Sequence, residues 1–149
     1  MPAVSVMSLS HDPALVGVAS APAHATCKAI MKSRCFSVSW LDAKYRDAVE
    51  ALGSASGDEE GDKLGSVGLH HRLGGSPPVP LVRESSAYLV CTLVESHPFG
   101  DHCLLVAQVR VARAIADFRE YWGFRAYHPL LYAGLGRPPP GAHERLRRP

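Results

Sequence analysis

The sequence predicts a mainly β chain, an antiparallel barrel of six or so strands with two clear helices inserted. Three observations carry this. Six segments, near residues 4–9, 14–21, 35–41, 86–96, 103–114 and 128–135, alternate polar with apolar residues or form short apolar blocks. Two of them, "SAYLVCTLVES" and "CLLVAQVRVARA", are parted only by the turn-like "HPFGDH" and read as one long hairpin. Helical spacing is confined to two clear segments, which do not alternate with strands as parallel βαβ units would.

The elements follow in order. "VSVMSL" alternates and reads as a strand. "HDP" turns the chain, "ALVGVASA" is a small, branched, buried-type strand, and Pro22 ends it. From Thr26 to Ser33, Ile30 and Met31 stand at helical spacing from Cys27, and Thr26 suits the helix start. "CFSVSWL" alternates again. Asp42 is a good N-cap for a helix whose face is Tyr45, Ala48, Val49 and Leu52, with Gly53 as its stop. Residues 53–80 are rich in Gly, Ser and Pro and read as a long loop, with at most a short helix near Lys63. After the hairpin, "DFREYWG" reads as a short helix or turn and "HPLLYAGL" as a last strand.

Composition bounds the function. The chain has 149 residues, 46% apolar and 20% charged, enough for one domain with a real core. No apolar run approaches the ~18 residues of a membrane span. The net charge of +2 is uneven. Residues 137–149 hold Arg137, Arg145, Arg147 and Arg148 against Glu144, so the basic excess lies in a Pro/Arg-rich tail and not in a nucleic-acid-binding body. The expected organisation is one domain over 1–136 plus that tail. Residues 1–13 lack Lys and Arg, which argues against a secretory signal and for a cytoplasmic protein. Cys27, Cys35, Cys91 and Cys103 form no Cys-x-x-Cys, so four reduced thiols, mostly in the core, are expected and no metal site. His70 and His71 point apart in a Gly-rich stretch read as surface loop. Asp58, Glu59 and Glu60 read as a solvated loop.

Five pieces, in order, resemble the flavin reductase-like, FMN-binding split-barrel family. They are Met1-Pro2-Ala3; Ser10-His11-Asp12-Pro13-Ala14-Leu15-Val16 followed by Pro22-Ala23-His24-Ala25-Thr26; Ser56-Gly57 with Asp62-Lys63; Gly100-Asp101-His102; and Tyr127 with Pro129-Leu130-Leu131-Tyr132. The resemblance spans roughly residues 1–137.

It implies an FMN-binding split β-barrel, and a strand, phosphate cradle and helix for residues 14–30. Elementary physics agrees, because a helix start offers unpaired N–H groups and partial positive charge to a phosphate. By resemblance, Ala3, Val4, Ser5, Ser20, His24, Ala25, Thr26, Lys28 and Tyr132 bind the cofactor, FMN or FAD. His102 is the catalytic candidate, near flavin and nicotinamide. The implied activity is an NAD(P)H-dependent flavin or ferric reductase. The implied assembly is a homodimer with flavin near the interface, where the 53–80 loop would pack, serving an electron acceptor or monooxygenase partner. The alternatives are a flavin binder without turnover and a structural dimer whose tail takes an acidic partner. No nucleic-acid or membrane partner is expected.

The departures are specific. The family's phosphate Arg falls on His24, a frequent Lys on Ala23, a Ser near the ring on Val4, a frequent Asn on Ser39, and the final Gly-Gly on Ala133-Gly134. The family also places a strand and an Asn before the Met. On that pattern the barrel lacks its first strand or the true start lies upstream, and an open edge calls for partner pairing.

Overall fold

The computed structural model describes residues 1–3, 6–54 and 61–115. In chain order these form β1 (Val6–Ser10), β2 (Leu15–Ser20), α1 (Ala25–Ser33), β3 (Cys35–Trp40), a one-turn 3-10 helix (Ala43–Tyr45), α2 (Arg46–Ser54), α3 (Lys63–Ser66), β4 (His71–Gly74), β5 (Val79–Val82), β6 (Ala87–Phe99) and β7 (His102–Ala114). Five strands make one sheet in the order β1-β2-β7-β6-β3, and β4 and β5 form a separate hairpin. Every pairing is antiparallel.

The side-chain period of two decides which face is core. On β7, Leu105 and Ala107 are fully buried while their neighbours are only half-buried. Val16 and Val18 of β2 and Cys91 and Leu93 of β6 join them on the inner face. Cys27 and Ile30 of α1, three residues apart, and Phe36 of β3 close that core from above. A second cluster sits under the small hairpin, where Val79 and Leu81 pack on Val90 of β6. The Ser37 hydroxyl on β3 donates to the Pro80 carbonyl, tying the hairpin to the sheet.

Arg34 joins helix to sheet. It follows α1 in the left-handed region (φ 60°), a conformation more often left to glycine. Its N–H donates to the Ile30 carbonyl at 2.8 Å. Its guanidinium donates to the carbonyls of Leu93 at 3.1 Å and Val94 at 3.0 Å. Those carbonyls lie where the β6–β7 register shifts between Leu93 and Glu95. A bulge leaves ladder groups unmatched, and the Arg34 fork satisfies them.

Several sequence expectations are corrected here. The stretch 53–80 is not all loop, because 71–74 and 79–82 pair as strands. "HRLG" has no apolar alternation and "VPLV" carries a proline, so neither shows a strand signal; Pro80 is tolerated because the hairpin stands apart from the main sheet. His71 therefore opens a strand. His70 lies just before it, with its ring 2.8 Å from Glu84 Oε1. The long hairpin's turn is only Gly100 and Asp101, since pairing runs on to Phe99 and His102; Gly100 accepts φ +56° for the tight reversal. α2 extends one residue past Gly53, and its predicted face is half-buried rather than core. Asp42 caps as expected, accepting the Lys44 N–H at 3.0 Å, but at the 3-10 turn that leads into α2. The Asp58–Glu60 run, Ser56, Gly57, the predicted elements beyond residue 115 and the basic tail lie outside the described residues. None of the helices among the described residues is long and apolar enough to cross a membrane.

Candidate functional site

Antiparallel pairing brings the two ends of the sequence's best motifs together. Ser20, the last residue of β2, pairs with Cys103, which directly follows His102. Ser20 is 2% exposed, and its hydroxyl lies 3.5 Å from the Met1 sulfur. Ala3 is half-buried and packs on the main core. From Ser20 the chain turns through Pro22, with the His24 N–H donating to the Ala21 carbonyl at 3.0 Å. α1 then begins.

The helix start differs from expectation in one respect. His24, not Thr26, holds the N-cap position, with φ −64° and ψ 133°, and its side chain makes no capping bond. Its carbonyl accepts the Lys28 N–H at 3.1 Å, the first bond of the helix. Thr26 sits inside the first turn, half-buried, and makes no side-chain hydrogen bond within the described residues. The first-turn N–H groups of Ala25, Thr26 and Cys27 precede the first intrahelical donor and are open to an acceptor. No acidic residue occupies that turn, so the helix's own first turn leaves its positive end unneutralised.

Beside this helix lies an open groove of about 470 Å³. Pro22, Cys27, Lys28, Met31, Lys32 and Cys103 line it, and its walls are mostly apolar. Met31 was expected on the buried face with Cys27 and Ile30; it is 43% exposed and faces the groove instead. Lys32, Met31 and Cys103 are groove residues that the sequence reading missed. Two signals pointed to them: Lys32 follows Lys28 by one helical turn, and Cys103 follows Gly-Asp-His.

His102 opens β7 and is not a turn residue as expected. Its Nδ1 lies 2.8 Å from Asp101 Oδ1, and its side chain is about half exposed. The His102 ring, donating to Asp101, holds that carboxyl below its usual range. By register, His102 faces the same side of the hairpin as Phe99. Ser39, where the family pattern carries Asn, has a buried hydroxyl with no hydrogen-bond partner among the described residues. Val4, Ser5 and Tyr132 lie outside the described residues. Among those described, no group of three or more His, Cys, Asp or Glu side chains could hold a metal ion.

Ser20, His24, Ala25 and Thr26 lie along the path from β2 into α1, and among the described residues expected at the site only Lys28 lines the groove; His102, one residue before Cys103, points to the opposite face of β7. The residues present fit a phosphate-bearing planar cofactor: open helix N–H groups, a lysine on the groove and an apolar trough. They lack a fixed cation at the helix cap, where His24 stands.

Comparison with known proteins gives the family and the fold. The flavin reductase like domain model matches residues 1–137. The reductase component of a 4-nitrophenol 4-monooxygenase/4-nitrocatechol 2-monooxygenase from Rhodococcus opacus is 31% identical over 110 residues, 74% of this chain and 55% of that protein. An NADH-dependent flavin reductase from a Rhodococcus species is 31% identical over 98 residues, 62% of this chain and 50% of that protein. The chain thus spans about half the length of these relatives. Among solved structures, an FMN-binding protein from Thermus thermophilus with bound p-hydroxybenzaldehyde superposes with a TM-score of 0.68 at 37% identity, over 76% of this chain and 62% of that one. A split-barrel domain protein from Shewanella frigidimarina gives 0.69 at 19% identity, over 77% and 59%, and so speaks for the fold alone. The chain belongs to the flavin reductase like domain family and has its split-barrel fold.

Proposed function

We propose that this protein is a flavoprotein oxidoreductase that binds FMN, or FAD, in the α1 groove and uses NADH or NADPH to reduce flavin or ferric iron. The observation that carries it is the start of α1. Its N–H groups are open, no acid stands in the first turn, and it borders a groove rimmed by Lys28 and Lys32. Bound there, the flavin supplies the hydride and electron chemistry, and the protein supplies position and electrostatics. The Ala25, Thr26 and Cys27 N–H groups and the Thr26 hydroxyl hold the phosphate, with Lys28 as the near cation. His24 stands where the family has Arg, so the cap lacks a guanidinium fork for the phosphate. Met31 and the groove wall exclude water from one side of the ring. His102, steadied by Asp101, is the side chain that meets the nicotinamide. Ala3, Val4, Ser5, Ser20 and Tyr132 complete the cofactor site.

The working form on this reading is a cytoplasmic homodimer with flavin near the subunit interface, passing electrons to an acceptor or a monooxygenase. The similarity to the reductase component of a monooxygenase supports the monooxygenase partner, and that to the NADH-dependent flavin reductase supports the reductant. A second reading, flavin binding without turnover, is favoured by the missing fixed cation at His24 and by Ser39 in place of Asn. The absorbance spectrum of the purified protein after addition of FMN tests the first step. Bound-flavin bands with NADH or NADPH oxidation on adding free flavin support the reductase. Bands without oxidation select the second reading. A colourless protein that takes up no FMN overturns both.

A further inference from the structure

Two of the four thiols wall the same groove. Cys27 is 2% exposed and has no hydrogen-bond partner among the described residues. Cys103 is half-buried at the mouth, and its sulfur has only a long contact, 4.0 Å, to the Leu104 carbonyl. Lys28 and Lys32 supply the groove's positive charge. The other two thiols do not line it. Cys91 is fully buried, and burial pushes its thiol up to about 11. Cys35 is half-buried against the second core cluster, as Cys103 is against the first, so the groove and its lysines set the two apart.

An accessible thiol in a cationic trough suits an anionic thiol-reactive reagent. We propose that Cys103 is a modification site for anionic low-molecular-weight disulfides, and that the adduct fills the groove and excludes flavin. The exclusion half rests on reading the groove as the flavin site. The Cys103 thiol gives its proton to solvent, and its thiolate attacks one sulfur of the disulfide. A new S–S bond forms to Cys103 as the reagent's own S–S bond breaks. The displaced sulfur leaves as a thiolate with that bond's electron pair. Cys103 is oxidised, the departing sulfur is reduced, and no further oxidant enters. A free thiol in excess reverses the step. Cys27, recessed in the core, is the slower of the two.

The test treats folded wild type, Cys103→Ser and Lys32→Glu with the anionic reagents dithiobis(nitrobenzoate) and oxidised glutathione, and with neutral dithiodipyridine. Peptide mass mapping is followed by FMN titration. Cys103 is labelled at least about tenfold faster than Cys35 by the anionic reagents, because Cys103 and not Cys35 lines the groove with Lys28 and Lys32 and local charge sets the exchange rate. Lys32→Glu slows the anionic reagents and spares the neutral one. The FMN Kd of treated wild type rises at least about tenfold and returns with dithiothreitol, a change that is ~1.4 kcal/mol per decade. In Cys103→Ser the Kd is the same before and after treatment.

Labelling that falls first on Cys35, an internal Cys27–Cys103 disulfide in place of the adduct, or an adduct on Cys103 that leaves the FMN Kd unchanged overturns the proposal. Untreated protein that binds no FMN sinks the flavin reading and the exclusion half with it. The mapping and the charge dependence still decide the modification site.

Discussion

Arg34 and Leu93 hold each other from both sides: the Leu93 N–H donates to the Arg34 carbonyl at 2.8 Å, and the Arg34 guanidinium donates to the Leu93 carbonyl at 3.1 Å. The pair fixes the end of α1 against the bulged part of β6, and so fixes how α1 lies over the inner face of the sheet.

Arg34→Ala removes the guanidinium bonds while keeping the left-handed backbone. It should destabilise the protein by about 1–2 kcal/mol, the low end for bonds from a charged donor because one of them is solvent-exposed. Arg34→Gly loses the same bonds but relieves the positive φ, and should cost ~1 kcal/mol less than Arg34→Ala. Urea unfolding of the two variants checks the order. Equal costs would mean that φ 60° carries no strain here.

Thr26→Ala should separate stability from affinity. Because His24 holds the cap position, no cap is lost, and alanine's better helix propensity should leave stability unchanged or raise it by up to ~0.5 kcal/mol. On the flavin reading, one hydroxyl bond to a charged group disappears, and FMN affinity should fall about tenfold. Chemical denaturation and flavin fluorescence titration measure the two effects separately.

His24→Arg places a permanent cation at the helix start and should tighten FMN. The planar guanidinium fork can make two charge-assisted bonds to phosphate, so affinity should rise by up to about tenfold. FMN titrations of wild type and variant check it. An unchanged Kd would place the phosphate away from residue 24.

Asp101 and His102 give a prediction about titration. The His102 hydrogen bond lowers the Asp101 pKa, so the pair persists down through the ordinary carboxylate range and breaks as pH falls further. In His102→Ala, Asp101 should titrate at higher pH, closer to the ordinary carboxylate range. Carboxyl-carbon NMR titration of both proteins reads this directly. An unchanged Asp101 midpoint would show that its own backbone, and not the ring, holds it down.

Gly75 and Gly68 make a matched pair. Both have positive φ, +87° and +74°. A Cβ on Gly75 would stand 2.8 Å from Cγ2 of Val90, whereas one on Gly68 would meet nothing within 4 Å. Gly68→Ala should cost ~1 kcal/mol from conformation alone. Gly75→Ala should cost about 2–3 kcal/mol because overpacking adds to it. Thermal unfolding of the two variants compares them.

The sequence made legible whatever local patterning dictates. Alternation foretold β3, apolar blocks foretold β2, β6 and β7 closely, and helical spacing foretold the Cys27/Ile30 face of α1. The start of α1 was read as a cradle because Pro22 and Thr26 mark a strand end and a helix start. It was misread by two residues at the cap, because histidine carries no capping signal and the backbone alone makes the turn at His24. The β4–β5 hairpin stayed hidden because its stability comes from Val79 and Leu81 packing on Val90, a tertiary contact, and not from any alternation in "HRLG". The groove was only half visible for a related reason. Lys28 and Thr26 stand in a recognisable run, but Cys103 joins them only through cross-strand pairing, which no local window reveals.

That pairing of Ser20 with Cys103 also sets a time at which the site can exist. The strand end and helix start leave the ribosome early, yet the strand that supplies His102 and Cys103 emerges only after β3, both α2 and α3, the small hairpin and β6 have been made. A nascent chain stopped anywhere before β7 carries the helix end with its open N–H groups but no facing wall. Cofactor capture during synthesis must therefore wait for nearly all of the described chain.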